Sequence, residues 1–278
     1  MSIQHGQLAE QCGICGRVLN QPGVIQSWDC AGHCLQCMAD SEDPDCIEIL
    51  TRAKDPNSSH LEMARYEEWR IKQASNPIRL GIILSGRGSN FLAIADSIRS
   101  GRLPGVEIAI VISNLADAPG LAAARDLGLP TAALISKGRS RQAHDADLIA
   151  CLREHRVHLV CLAGYMRLLS PAFIAAFPNR ILNIHPSLLP AFPGLDAQQQ
   201  AFDYGVKIAG CTVHFVDEHL DHGVIILQRS IPVLDSDDAH SLAQRILAEE
   251  HIAYSQAIAR VVSGQYEIRN RRYVPRKL

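Results

Sequence analysis

The sequence predicts an α/β fold, a Rossmann-like and mostly parallel sheet with helices on both faces, preceded by a small metal-binding N-terminal module. From Ile78 onward, short apolar runs alternate with segments of helical period, the rhythm of βαβ units. The first of these runs leads straight into a glycine-rich turn, Ser85-Gly86-Arg87-Gly88-Ser89-Asn90. Six of the nine cysteines lie between Cys12 and Cys46. At 278 residues the chain has room for one large domain and a small appendage. The expected division is 1–57 as the cysteine-rich module, 58–76 as a linker helix and 77–278 as the catalytic domain.

In the N-terminal module Cys12-x2-Cys15 and Cys34-x2-Cys37 are separated by eighteen residues. Each short turn can present two thiolates to one side of a tetrahedral ion, so zinc held by Cys12, Cys15, Cys34 and Cys37 is the expectation. Cys30, His33 and Cys46 are further candidate ligands, and an iron–sulfur cluster is the competing site. A metal would also explain how so short a segment folds. Arg17 is the only Lys or Arg among residues 1–50, while Asp29, Asp40, Glu42, Asp43, Asp45 and Glu48 are acidic, which argues against a nucleic-acid-binding module.

Pro56-Asn57-Ser58-Ser59 reads as a linker into a helix over Leu61 to Ala74, which Asn76-Pro77 stops. Ile78 to Leu84 is nearly continuous in apolar residues, as a buried parallel strand requires. After the glycine-rich turn, Phe91 to Ser100 is amphipathic. Strand, glycine turn and helix start together make a phosphate cradle, because glycines permit close backbone approach and free amides attract an anion. Strands then follow at Val106 to Ile112, Thr131 to Leu134 and His158 to Leu162, with helices at Pro119 to Leu127, Arg141 to His155 and Pro171 to Phe177. A helix at Gln198 to Tyr204, strands at Ile208 to Val216 and Val224 to Val233, and a long helix at Ala239 to Val262 complete the domain. The basic tail, Arg269 to Lys277, reads as a solvated end. Cys151, Cys161 and Cys211 stand singly in apolar surroundings and read as core residues.

The chemistry concentrates at Asn183-Ile184-His185-Pro186-Ser187-Leu188-Leu189-Pro190, after the apolar run Arg180-Ile181-Leu182. Pleat alternation turns Asn183 and His185 to one face and Ile184 to the other. An amide and an imidazole side by side can bind a developing oxyanion and move a proton near neutral pH. Asp221 is the candidate carboxylate partner, whose charge would favour the imidazolium form of His185.

This segment resembles the catalytic segment of the folate-dependent formyltransferases. The resemblance extends through Leu162-Ala163-Gly164-Tyr165-Met166-Arg167-Leu168-Leu169 and Gly210-Cys211-Thr212-Val213-His214-Phe215-Val216, and covers Ile78 to Tyr273. Within the family it is strongest to the branch that formylates glycinamide ribonucleotide in purine synthesis. It implies 10-formyltetrahydrofolate as co-substrate, with Asn183, His185 and Asp221 catalytic. It further implies that Gly88, Ser89, Asn90 and Glu250 meet the ribonucleotide, and that Arg141, Met166, Arg167, Leu168, Leu169 and Asn183 meet folate. His214 is implied as a support to the catalytic group. Departures are Asp196, where many members carry His, and His219, His222 and Val224 around Asp221.

A formal net charge of −2, with both signs mixed along the chain, offers no general field for nucleic acid or membrane. Met1 to Gln11 lacks the basic start and apolar run of a signal peptide, and no stretch approaches about 20 apolar residues, so a cytoplasmic enzyme of small-molecule substrates is expected. A homodimer is compatible with this reading. Three alternative readings fit parts of this pattern. Formyltetrahydrofolate deformylase uses a similar Asn, His and Asp with water as acceptor, and carries an N-terminal ligand-binding domain without a cysteine cluster. Methionyl-tRNA formyltransferase is expected to carry a C-terminal RNA-binding extension, for which this chain leaves no room. A catalytically silent metal-sensing or interaction protein has no chemical reason to combine the glycine turn with the Asn183, His185 and Asp221 set.

Overall fold

A computed structural model describes residues 77–276, and the expected cysteine module and linker helix lie outside the described residues. Nine strands and six helices follow in chain order among those residues: β1 Ile78–Leu84, α1 Ser89–Arg99, β2 Val106–Ser113, α2 Pro119–Asp126, β3 Thr131–Ala133, α3 Arg141–Glu154, β4 Leu159–Leu162, α4 Pro171–Ala176, β5 Ile181–His185, α5 Ala197–Tyr204, β6 Ile208–Phe215, β7 Ile225–Pro232, α6 Ala239–Ser263, β8 Tyr266–Arg269 and β9 Arg272–Pro275.

The first seven strands form one sheet in the order β3-β2-β1-β4-β5-β6-β7. Strands β1 to β5 pair in parallel, whereas β6 runs antiparallel to β5 and β7 antiparallel to β6. The order reverses between β1 and β4, the place where doubly wound sheets open a crevice beyond their strand ends. Strands β1 and β4 are apolar almost throughout because helices cover both faces. The two faces belong to separate hydrophobic clusters: Leu80, Ile82 and Leu84 pack into one, Ile83, Val160 and Leu162 into the other.

Helix α6 is the principal cover of the first face. Its N-terminus is closed by a capping box in which the Asp238 side chain accepts from Ser241 N and the Ser241 hydroxyl accepts from Asp238 N. Tyr254, fully buried on this helix, places its hydroxyl 3.0 Å from the carbonyl oxygens of both Leu162 and Leu182. It thereby ties α6 to the ends of β4 and β5, where the polar residues emerge.

The chain end differs from the sequence expectation. Residues Tyr266 to Pro275 form an antiparallel hairpin, β8 and β9, in place of a solvated tail. Alternating Arg, Glu and Tyr conceal it in sequence, but its aromatic face is buried in part: Tyr273 stacks on Tyr266 at 5.3 Å and meets Phe215 edge-on at 5.3 Å.

Candidate active site

Asn183 and His185 are carried by the end of β5, Asp221 by the loop after β6, Ser89 and Asn90 by the first turn of α1, and Glu250 by α6; the geometry builds outward from β5. Leu182 and Ile184 enter one core cluster while Ile181 enters the other, so Asn183 and His185 stand on the opposite face from Ile184, as the pleat requires. Across the antiparallel ladder Asn183 pairs with His214, and His185 with Thr212.

Strand β6 finishes at Phe215, opposite Leu182, and the loop that follows turns back so that Asp221 meets His185. Gly223 makes the return tight, since a Cβ there would lie 1.7 Å from the Phe215 carbonyl oxygen. The Asp221 carboxylate is almost wholly buried, with Oδ2 3.3 Å from His185 Nδ1 and accepting from Gly194 N at 2.8 Å. Oδ1 is 3.8 Å from His214 Nε2.

Both nitrogens of His185 face acceptors: Nδ1 the Asp221 carboxylate, Nε2 the Phe192 carbonyl at 2.8 Å. A doubly protonated ring satisfies both acceptors, whereas a neutral ring satisfies one. Phe192 is held in place by the loop after β5, where Thr212 Oγ1 accepts from Leu189 N and donates to Ser187 O, and Ser187 Oγ donates to Ala191 O.

His214 has a different task. Its Nδ1 lies 2.7 Å from the Phe215 carbonyl, which fixes the proton there. Burial holds its basicity below the ordinary imidazole value, so the neutral ring dominates and Nε2 keeps a lone pair. The Asn183 amide nitrogen lies 3.4 Å from that lone pair. One N–H of Asn183 is thus directed at His214, the amide is fixed in orientation, and the second N–H remains for a ligand.

A second group of polar residues surrounds the glycine turn after β1. Gly88 caps α1 in the left-handed region at φ 72, and no side chain caps that helix, so its first amides lack a side-chain acceptor. Asn90 donates from Nδ2 to Glu250 Oε2 at 2.7 Å, while its buried Oδ1 has no hydrogen-bond partner. An orphaned buried acceptor of this kind suits a hydroxyl or amine supplied by a ligand. Burial pushes the Glu250 carboxyl up to about 7, against the opposing hydrogen bond from Asn90.

The loop after β4 joins these groups. Met166 and Leu168 are exposed, 69% and 52%, beside the strand ends, an apolar surface that can receive a flat ring. Arg167 is half-buried, and Leu169 packs against the second cluster. Arg141 is exposed at the first residue of α3, directly after the Ser140 N-cap. Asp196 is also exposed, at the start of α5 with φ 54.

One set of polar residues escaped sequence reasoning. Ser85 Oγ donates to Asn114 Oδ1 at 2.7 Å and accepts from Met166 N at 3.0 Å, and Asn114 Nδ2 donates to Ser136 Oγ at 3.1 Å. This chain of bonds links the ends of β1, β2 and β3 to the β4 loop. The only available signal was a polar residue closing each apolar run, a pattern that ordinary strand ends share.

A family model described as formyl transferase matches residues 78–258, more than half of the chain. Phosphoribosylglycinamide formyltransferase of Escherichia coli strain K12 is 40% identical over 188 residues, 67% of this chain and 88% of that protein. Trifunctional purine biosynthetic protein adenosine-3 of Drosophila melanogaster is 41% identical over 223 residues, 78% of this chain but 16% of that one. The chain therefore spans a small part of the trifunctional relatives. Among solved structures, glycinamide ribonucleotide transformylase 1 from Symbiobacterium toebii superposes with a TM-score of 0.70 at 52% identity, over 72% of this chain and 94% of that one.

Proposed function

Because the chain belongs to the formyl transferase family, whose members use 10-formyltetrahydrofolate, we propose that it transfers the formyl group of that co-substrate to the amine of 5'-phosphoribosylglycinamide in purine biosynthesis. The observation that carries this reading is the buried cluster of Asn183, His185, His214 and Asp221 at the end of β5. The substrate choice rests on similarity to proteins named for this reaction.

The amine attacks the formyl carbon, forming the new carbon–nitrogen bond while the carbonyl electrons move onto oxygen. The free N–H of Asn183 and an N–H of His185 are suited to that oxyanion, and a pre-oriented donor in a buried site is worth more than the same donor in water. Collapse of the intermediate breaks the bond to folate N10, which leaves with the electron pair and takes up a proton. The attacking nitrogen has lost one. His185 can carry that proton, with Asp221 compensating the positive ring. To deliver it from Nε2, His185 must give up the Phe192 carbonyl, so the loop holding Phe192 competes with substrate for the proton.

Binding follows the same proposal. The uncapped amides at Gly88 and Ser89 suit the ribonucleotide phosphate, and Asn90 with Glu250 suit its sugar hydroxyls. Met166 to Leu169 and Arg141 suit the ring and the acidic tail of folate. We extend the reading to zinc on Cys12, Cys15, Cys34 and Cys37, to a cytoplasmic location and to a homodimer. Metal analysis and solution mass test the first and last of these. No helix among the described residues is long and apolar enough to cross a membrane.

The decisive assay supplies purified protein with 10-formyltetrahydrofolate in the presence and absence of glycinamide ribonucleotide. Formylated ribonucleotide, formed only when both are present, is the expected product. Free formate released at equal rate without the amine would replace the proposal by the deformylase reading, and no turnover of either kind would favour a silent binding protein.

A further inference from the structure

The loop between β6 and β7 has two faces. Asp221 projects inward to the site just described, while Asp217, His219 and His222 project outward, their side chains 38%, 74% and 51% exposed. No step of formyl transfer uses these three.

Their arrangement is that of a cation site. One ligand atom from each, a carboxylate oxygen and two imidazole nitrogens, lies within 4.8 Å of the other two. Asp217 Oδ2 is 2.9 Å from His222 Nδ1, and Oδ1 is 3.9 Å from His219 Nδ1. The His219 and His222 rings meet edge-on at 5.1 Å. Tetrahedral zinc with bonds of about 2.0–2.1 Å spaces its ligand atoms about 3.3 Å apart, a closure that small rotations of exposed side chains achieve. The backbone already favours the cluster, because Asp217 Oδ1 accepts from His219 N at 2.9 Å.

A positive group already stands beside these ligands. Arg271, at the turn of the β8–β9 hairpin, places Nη1 3.4 Å from His222 Nδ1 and donates from Nη2 to the His222 carbonyl. We propose that Asp217, His219 and His222 form a three-ligand site for a borderline transition dication such as Zn2+, with water completing the shell, on the outer face of the loop that carries Asp221. Two imidazoles and one carboxylate favour Zn2+, Ni2+, Co2+ or Cu2+ over Mg2+ or Ca2+. A bound ion joins residues 217, 219 and 222 and braces the segment that presents Asp221. Arg271 competes with it by charge.

The test is a calorimetric titration of Zn2+ into the full-length, metal-stripped chain, its His219→Gln/His222→Gln variant and its Arg271→Gln variant. All three carry the same cysteines, so zinc held by thiolates cancels between them. The double variant is expected to lose one Zn2+ equivalent per chain with unchanged circular dichroism, and Arg271→Gln to bind that equivalent more tightly. With Co2+ in its place, that equivalent is expected to give visible d–d bands without sulfur-to-metal charge transfer. Equal stoichiometry and affinity in wild type and a folded double variant would overturn the site. So would thiolate charge transfer from that equivalent. Should the double variant unfold, Arg271→Gln decides, since unchanged or weaker binding there contradicts the proposed competition.

Discussion

Asp221→Asn keeps the size and most of the hydrogen-bonding capacity of the side chain but removes the charge facing His185 Nδ1. The variant is expected to fold as wild type and to lose a factor of about 100 or more in single-turnover formyl transfer, the usual cost of removing one such group. A rate within a few-fold of wild type across pH 6 to 9, roughly the range in which a histidine titrates, would reject the assignment. Glu250 gives a prediction with a definite sign. Burial pushes its carboxyl up from the ordinary value of 4.5 to about 7, so the folded state binds the extra proton. The stability linked to it is full below pH 4.5, declines as pH rises and is lost by about pH 7, an effect on the order of 3 kcal/mol. Glu250→Gln lacks this titration. Thermal melts at pH 5 and 8 should show the wild type losing more stability than the variant over that interval, and parallel losses would contradict it.

At the level of elements, the glycine turn and the C-terminal hairpin act on the site from different directions. Gly88 sits at φ 72, where a Cβ would also lie 3.0 Å from Leu84 Cδ2. Gly88→Ala is expected to cost about 1–2 kcal/mol from the left-handed backbone, and to raise the Michaelis constant for the ribonucleotide more than that for folate. Equal rises for both would indicate a general defect. The hairpin buttresses Phe215, the last residue before the Asp221 loop, through Tyr273. Tyr273→Ala should therefore lower turnover although the residue lies outside the catalytic cluster, and steady-state kinetics on a folded variant checks it. Sequence patterning located β1, β2, α3 and α6 within a residue or two, because apolar runs and helical period are local signals; the side-chain caps Ser140 and Asp238 that start α3 and α6 are added by the structure. It placed the start of α1 at Phe91, whereas the helix begins at Ser89, inside the turn. The hairpin was missed because its half-buried Tyr266, Ile268 and Tyr273 are interleaved with Glu267 and arginines. The Asn183, His185 and Asp221 set was legible through its long motif, but the neutral role of His214 depends on the Phe215 carbonyl beside Nδ1, which no spacing announces.

For the whole molecule, the family match begins at residue 78, where β1 begins. A fragment starting at Ser75 is expected to retain the formyl-transfer rate of the full chain within a few-fold. A folded but inactive fragment would mean that the first 74 residues complete the site, and solution mass of both forms would reveal whether they also join subunits.

Strand β5 is hydrogen-bonded along both edges, to β4 in parallel and to β6 antiparallel, and so lies at the junction of the two halves of the sheet. Amides there can meet deuterium only when neighbouring strands separate, an opening that approaches global unfolding. The loop bearing Asp221 has no such ladder and can open locally. Histidine and carboxylate, 3.3 Å apart, therefore belong to segments expected to exchange with solvent at different rates: the imidazole on a strand paired along both edges, the carboxylate on a loop whose hold includes the Gly194 amide. Turnover can then be limited by the lifetime of their encounter, and deuterium uptake of residues 217–223 measured beside that of 181–185 would time it.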